Sequence, residues 1–333
     1  MQSIELPDGI TEIQECAFGS CSVLREIVLP RSLKKFGSPQ HWSRKDKHII
    51  SLSDEFVVKD NMLLNKDETV LITCFNRNDS IRVPDSVEYI GRAAFAGCDK
   101  LVHISLGQNL KSIGLGAFSN CFNLRSIEFS SRLEEIKMNA FIYCQSLVEV
   151  VLPESVQVIE PEAFCHCLSL EKLALSRSLK KIEKRIVSYC GKLKYLELPD
   201  EVHVITDQAF ERNEFLEEIA LSKDLEIIGK EAFSKCYSLE RLRLNDGLKR
   251  IKYRAFYNCY SLCIDYLPAS LEVVEEAAFY GVQLSEEIRS EVEVRFPLAL
   301  SPGQQYEAEV DFDSFMDLAQ NKYIRQNYEM LVT

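Results

Sequence analysis

The chain has 333 residues, 46% of them hydrophobic, which is enough apolar material for an extensive core. Lysine and arginine number 39 against 51 aspartate and glutamate, so the formal net charge is −12. A field of this sign disfavours nucleic acid and anionic lipid as partners. No apolar run approaches the roughly 18 residues of a membrane-spanning helix, and we predict no membrane insertion.

The first residues, Met1 to Pro7, contain neither a basic start nor an apolar segment, so we expect no signal peptide. Met1 falls where a sequence repeat begins. The chain is therefore interpreted as a mature form or as a piece cut from a longer protein.

The dipeptide Ala-Phe recurs with a period of 23 residues, and the one irregular slot, Ile186-Val187, stays apolar. A fixed period of this length indicates a solenoid or a propeller, because one unit cannot bury its apolar face alone. The pairs are Ala94-Phe95, Ala117-Phe118, Ala140-Phe141, Ala163-Phe164, Ala209-Phe210, Ala232-Phe233, Ala255-Phe256 and Ala278-Phe279.

Residues 147–169 represent the repeat. Val150 and Leu152 have the period of two that is typical of a short strand with one buried face. The unit matches the L-x-x-L-x-L pattern that places a strand on the concave side of a leucine-rich-repeat horseshoe. We predict an α/β repeat solenoid of about eleven 23-residue units, with short concave strands, irregular convex turns and a ladder of stacked phenylalanines.

These positions resemble the BspA-like, or Treponema pallidum-type, leucine-rich repeat family, whose pattern is roughly L-x-x-I-x-L-P-x-x-L-x-x-I-x-x-x-A-F-x-x-C. The resemblance extends from residue 1 to about residue 282. It implies a surface or secreted factor that mediates adhesion to host components or to other cells, in bacteria and some protists.

The repeat phase predicts four segments. Residues 1–36 are N-terminal repeats, and 37–78 form an irregular insertion with a β-hairpin that turns at Lys66-Asp67-Glu68. This insertion, which contains Trp42, is a second candidate surface for binding a partner. Residues 79–282 are repeats, and 283–333 form a helical C-terminal cap or, alternatively, a docking module. The helical pattern consists of Leu284, Ile288 and Val292, then Phe312, Phe315, Met316, Ala319, Tyr323 and Ile324.

Eight of the twelve cysteines occupy one slot, three residues after the phenylalanine. Asn213 and Val282 fill the same slot, so we interpret cysteine there as a small buried hydrophobe. Stacked residues have parallel Cα–Cβ vectors, which disfavour a disulfide. Cys165-His166-Cys167 has the wrong spacing for zinc and lacks a second ligand pair, so no metal site is predicted. The eight are Cys21, Cys98, Cys121, Cys144, Cys167, Cys190, Cys236 and Cys259.

Catalytic and cofactor motifs are absent from the sequence, which contains no His-Glu-x-x-His, Gly-x-Ser-x-Gly or Walker A pattern. Gly114-Leu115-Gly116 begins like a dinucleotide loop but lacks the third glycine. We therefore predict neither an enzyme nor a bound cofactor.

In each predicted strand, two residues flank the buried one and point to the concave face. Reading them unit by unit gives a mixed charged and aromatic stripe, and tyrosine and arginine are enriched at interface hot spots. The alternative is a solvated face without a ligand. The last unit supplies Ile264 and Tyr266. The candidate protein-binding residues are His103, Glu128, Glu149, Lys172, Tyr195, Glu197, Glu218, Arg241, Arg243 and Tyr266.

The function predicted is a non-catalytic protein-binding scaffold, monomeric, which through the resemblance would act in adhesion at a cell surface. The alternative is an intracellular recognition or regulatory module of a larger protein. The missing signal peptide and the many free thiols favour that alternative and a cytoplasmic location.

Overall fold

A computed structural model describes residues 2–19, 21, 23–38 and 47–303. Residues 1–300 form one compact unit, and the unit that follows is described only at residues 301–303. The strands are β1 Ser3–Glu5, β2 Glu12–Ile13, β3 Glu26–Leu29, β4 Lys35–Phe36, β5 His48–Ser51, β6 Phe56–Lys59, β7 Met62–Asn65, β8 Val70–Cys74, β9 Ser80–Arg82, β10 Tyr89–Ile90, β11 His103–Ser105, β12 Ser112–Ile113, β13 Ser126–Glu128, β14 Glu135–Ile136, β15 Glu149–Val151, β16 Val158–Ile159, β17 Lys172–Ala174, β18 Lys181–Ile182, β19 Tyr195–Glu197, β20 Val204–Ile205, β21 Glu218–Ala220, β22 Ile227–Ile228, β23 Arg250–Ile251, β24 Cys263–Ile264, β25 Val273–Val274 and β26 Gln283–Leu284. A helix, α1 Glu286–Arg295, follows β26.

The strands form two rows along the solenoid. The long row comprises β1, β3, β5, β9, β11, β13, β15, β17, β19, β21, β24 and β26, and the short row comprises the remaining two-residue strands together with β8. Within each row, groups of two to five neighbouring strands pair in parallel, as Ile104 with Ile127 and Ile90 with Ile113. Because the offset equals the sequence period, equivalent residues lie over one another. The predicted leucine-rich-repeat solenoid is confirmed, with about twelve turns.

The phenylalanine ladder is the centre of the core. Phe118 stacks on Phe95 at 4.8 Å between ring centroids and on Phe141 at 5.0 Å, with the planes within 10° of parallel. Phe164 follows at 5.3 Å, and all four rings are buried. These distances fall in the favourable range for aromatic pairs. Val187 interrupts the ladder, which resumes at Phe210 and Phe233, Phe256 and Phe279.

The turn around each Ala-Phe pair contains two residues in the left-handed region, one before the alanine and one before the cysteine slot. Asn139 and Tyr143 have φ values of 58° and 60°, and Arg185 and Tyr189 have values of 49° and 59°. Left-handed backbone is costly for residues other than glycine. It is retained because each turn bonds to the next one, as when the Tyr143 N–H donates to the Cys165 oxygen at 2.9 Å.

The cysteine slot is buried, as predicted, in every unit from Cys98 onward. The Cys144 Sγ donates to the Phe118 carbonyl at 3.2 Å, and the Cys167 Sγ donates to the Phe141 carbonyl at 3.4 Å. Burial raises the pKa of both thiols well above its ordinary value. These cysteines are therefore poor nucleophiles and serve to fill the core.

The predicted insertion contains strands that belong to the rows. β5 pairs in register with β3, Ile49 beside Ile27, so the solenoid resumes earlier than the sequence phase indicated. The extra residues form the antiparallel hairpin β6–β7, which turns at Asp60-Asn61 with both φ values positive, as two-residue hairpin turns require. β8 then pairs with β7 across the predicted 66–68 turn and with β10 in the short row. Trp42 lies outside the described residues.

Helix α1 closes the described end of the solenoid. The Ser285 hydroxyl accepts from the Ile288 N–H as the N-cap, and Ile288 and Val292 are buried in the main core. The helix predicted from Leu284, Ile288 and Val292 is thus confirmed for Ile288 and Val292, whereas Leu284 lies in β26 before the helix begins. The helical pattern at 312–324 lies outside the described residues. In the described ranges, no helix is long and apolar enough to cross a membrane.

From the phenylalanine ladder we predict how Phe164→Ala changes the free energy of unfolding. We expect a loss of about 3–5 kcal/mol in the free energy of unfolding, because the substitution removes a buried ring and leaves a cavity. Urea unfolding followed by circular dichroism measures this loss. Leu168→Ala in the same unit is the control, since Leu168 is 44% exposed. Equal losses for the two variants would contradict the ladder as the main source of core stability.

The carboxyl group of Glu211, which follows Phe210, should make the free energy of unfolding depend on pH. Burial and then the neighbouring Glu231 carboxylate raise the pKa of Glu211 to about 7, although Arg185 and Arg212 act in the opposite direction. An unfolded glutamate has a pKa of about 4.3. The folded state therefore holds a proton that the unfolded state releases, and stability falls as the pH rises from about 4.5 to about 7.

We expect this carboxyl to lower the free energy of unfolding by about 3 kcal/mol between pH 5 and pH 8. Glu211→Gln should abolish that loss and be more stable than the native chain at pH 8. The measurement is urea unfolding at both pH values, with Glu154→Gln as the exposed control. A variant that loses stability between pH 5 and pH 8 as the native chain does would refute this role.

Candidate functional site

The long row has an exposed side, which we call the long-row face. The middle residue of each strand points into the core, as Val150, Leu173 and Leu196 do, and its two neighbours point out. Parallel pairing aligns these outward residues in columns wherever the ladder is continuous. The first column runs His103, Ser126, Glu149, Lys172, Tyr195, Glu218, Arg241, and the second runs Ser105, Glu128, Val151, Ala174, Glu197, Ala220, Arg243.

The structure places all ten predicted binding residues along this row. Nine of them lie in the two columns, and Tyr266 lies just beyond β24. All are exposed except Glu218, which is half-buried. The sequence pattern was sufficient to predict this placement because a residue's position in the repeat fixes its direction.

Ile264, predicted to face outward, is buried at 3% exposure, so that prediction is wrong. The strand is displaced by one residue, and Cys263 and Asp265 are exposed instead. By the repeat phase Asp265 would point into the core, where an unpaired carboxylate is very costly. The displacement puts the isoleucine in the core and the carboxylate in solvent.

Charges in the first column are neutralised by their neighbours one turn away. Lys172 pairs with Glu149, and the Arg241 Nε donates to the Glu218 carboxylate at 2.6 Å. The His103 Nδ1 lies 2.5 Å from the Ser126 hydroxyl. Exposed pairs of this kind contribute little to stability. Because of these pairs, several charged residues of the long-row face already have partners within the protein.

Aromatic and apolar groups remain open on the face. Tyr195 is 49% exposed, and its hydroxyl donates to the Glu197 carboxylate at 3.4 Å. Val151 is 51% exposed, although strand positions of this kind are usually polar when they face water. Near the end of the row, the Tyr266 hydroxyl donates to Asp246 at 2.7 Å, and this hydrogen bond raises the pKa of the tyrosine.

Among the described strands of the long row, parallel pairing is absent between β13 and β15, between β17 and β19, and after β21. After β21, the next unit keeps an isolated bridge between Glu218 and Arg241, and an open cleft of about 800 Å³ lies beside it. Arg241 and Arg243, two residues of the predicted stripe, line this cleft. Sequence reasoning missed Lys223, Glu240, Asn245 and Asp246, which also line it.

One departure from the repeat pattern in the sequence coincides with the position of the cleft. Asn245 occupies a slot held by serine or proline in neighbouring units, such as Ser176, Pro199 and Ser222. Its Nδ2 donates to the Lys223 and Leu225 carbonyls at 3.1 and 2.8 Å. A longer side chain therefore takes over the hydrogen bonding that the Ser222 hydroxyl provides to the Asp200 carbonyl one unit earlier.

The three residues Cys165, His166 and Cys167 are buried and pack in the interior of the protein. His166 is 5% exposed and stacks between the rings of Tyr143 and Tyr189, at centroid distances of 4.5 and 4.4 Å. Cys167 belongs to the buried cysteine slot. Across the described part of the chain, no three histidine, cysteine, aspartate or glutamate side chains are arranged to hold a metal ion.

Two solved structures of bacterial proteins have a similar fold. A leucine-rich repeat protein from Bacteroides ovatus superimposes with a TM-score of 0.58 at 21% identity, over 90% of each chain. A leucine rich cell surface protein from Faecalibacterium prausnitzii gives a TM-score of 0.51 at 17% identity, over 91% of this chain and 92% of that one. The comparison with curated proteins returned no match.

The BspA type leucine rich repeat region matches the sequence in six copies, over residues 1–56, 73–194 and 180–294. These ranges cover well over half of the chain and agree with the two rows of strands. The chain belongs to the BspA-type leucine-rich repeat family.

Proposed function

We propose that the protein is a non-catalytic scaffold that binds a protein partner through the long-row face. The observation that carries the proposal is the line of exposed residues from His103 to Tyr266, held on stacked turns of the solenoid with a cleft beside Arg241 and Arg243. A preformed surface of this kind loses little conformational entropy on binding. Tyrosine and arginine concentrate near the cleft, in the residue classes typical of interface hot spots.

Two settings are compatible with such a scaffold. The family resemblance favours adhesion at a cell surface, and one of the structural neighbours carries the description of a cell surface protein. The twelve free cysteines favour a reducing compartment instead, in which the chain would be a recognition module of a larger protein. The identity of a captured partner separates these two settings.

The experiment compares the native chain with the triple variant Tyr195→Ala, Arg241→Glu, Arg243→Glu in quantitative capture from host-cell and own-cell extracts. We expect the native chain to retain a partner that the variant loses, because three central contacts of the face are removed or reversed in charge. Both proteins must first show the same thermal unfolding. The substituted side chains are exposed, so the loss of their contacts should cost at most about 1 kcal/mol each.

A matched control keeps the same number and type of changes elsewhere. Tyr260 is 53% exposed, and the Arg177 and Lys180 side chains are 87% and 73% exposed. The triple variant Tyr260→Ala, Arg177→Glu, Lys180→Glu should retain the partner. Retention of the partner by both variants would place binding away from the long-row face, and the proposal would be wrong.

A further inference from the structure

The short row has an exposed side of its own, made by the first residue of each strand. In the six consecutive strands β14, β16, β18, β20, β22 and β23, the second residue is a buried isoleucine and the first points outward. We call these outward residues the short-row face. In order along the solenoid they are Glu135, Val158, Lys181, Val204, Ile227 and Arg250.

Half of the short-row face is apolar, although outward strand positions usually carry polar side chains where they face water. Val158 is 42% exposed, and Val204 and Ile227, which lie side by side through parallel pairing, are half-buried. Sheet pairing is not formed between the described strands β16 and β18. The turns remain stacked there, because the Phe164 N–H donates to the Ile186 oxygen at 2.9 Å. The face is therefore a line of side chains with apolar residues in its middle.

The two ends of the line carry opposite pairs of charges. Glu134 and Glu135 stand at one end, and Lys249 and Arg250 stand at the other. The Glu135 carboxylate lies 2.8 Å from Lys137, whose ammonium a second carboxylate shares. Lys249 is engaged by a glutamate of the preceding unit, whereas Arg250 has no carboxylate within 4.0 Å in the described part of the chain. One end is thus acidic and the other basic.

A second copy of the chain is complementary to the short-row face. Two copies that pack face to face about a twofold axis across the row run in opposite directions, so equivalent contacts form at both ends. With the axis between the third and fourth residues of the line, Glu135 of one copy meets Arg250 of the other. In the same arrangement Val158 meets Ile227, so apolar side chains cover one another.

The centre and the register of the line agree with this pairing. Lys181, at the centre, keeps its ammonium 2.9 Å from the Glu183 carboxylate, so no unpaired charge is brought into the contact. Moving the axis by half a turn would set Glu135 opposite Ile227 or opposite Val273, the next outward residue of the row. A carboxylate facing an apolar side chain is unfavourable. The central axis is the one that engages all six residues.

We propose that the chain forms a twofold dimer through its short-row face, with Glu134 and Glu135 of each copy against Lys249 and Arg250 of the other. The inference goes beyond the proposed scaffold function and uses a different face. The dimer would replace the monomer expected from the sequence, and its two long-row faces would raise the avidity for a partner with repeated sites. Because the contact is a single line of residues, it belongs to the weak, reversible class of interfaces.

Sedimentation equilibrium of the full chain tests the dimer, at concentrations from about 1 µM to about 300 µM. We expect the native chain to pass from monomer to dimer within this range. A chain that stays monomeric at every concentration would overturn the proposal.

A charge exchange then identifies the face. Glu135→Arg and Arg250→Glu should each weaken dimerisation by about tenfold or more, because like charges then meet at both ends. The double variant should recover the native affinity, since each reversed charge meets a reversed charge in the other copy. Within one copy the two residues lie five turns apart, about 24 Å at the spacing of neighbouring strands. Recovery therefore cannot come from a contact inside one chain.

Matched controls reverse an exposed charge pair that precedes long-row strands. Glu171→Arg and Lys192→Glu should leave the dimer unchanged. We expect the same thermal unfolding for all variants, because every substituted side chain points outward. Single variants at 135 and 250 that dimerise as the native chain does would place the dimer on another face. A double variant without recovery would show that the two residues do not meet, and either result would overturn the proposal.

Discussion

Each turn of this solenoid lies on the previous one with an offset equal to its sequence period, and the rest of the structure depends on that match. Because equivalent residues stack, a residue type that packs well at one core position packs equally well at the same position of the other units. The phenylalanine rings stack face on face, and each slot cysteine from Cys121 onward donates to the carbonyl of a phenylalanine one turn earlier. Stability therefore accumulates as a sum of similar interfaces between turns.

The same stacking organises the surface. A residue on the long-row face lies directly beside its equivalent in the next unit, so opposite charges in neighbouring units pair, as Glu149 and Lys172 do. Where the residues differ in kind, the face keeps open groups, as at Tyr195 and Val151. The interest of the molecule as a binding surface lies in these departures from repetition, and the cleft beside Arg243 is one of them.

The turns contain backbone conformations that are unfavourable for most residues. Each one contains two residues in the left-handed region, which include tyrosine, arginine and glutamate side chains as well as glycine and asparagine. Hydrogen bonds to the adjacent turn hold this geometry. In one turn, burial and then the neighbouring Glu231 carboxylate raise the pKa of Glu211 to about 7, while Arg185 acts in the opposite direction. The left-handed backbone persists because hydrogen bonds between stacked turns stabilise it.

The sequence by itself determined the repeat, its period, the core positions, the outward residues from His103 to Arg243 and the helix of Ile288 and Val292. It could do so because position within a repeat fixes whether a side chain points in or out. Only the tertiary structure decided where the rows are continuous. β5 rejoins the long row inside the predicted insertion, the strand at Ile264 is displaced by one residue, and parallel pairing among the described long-row strands is absent after β13, after β17 and after β21. Those features depend on backbone pairing between distant units, which no pattern within one unit encodes.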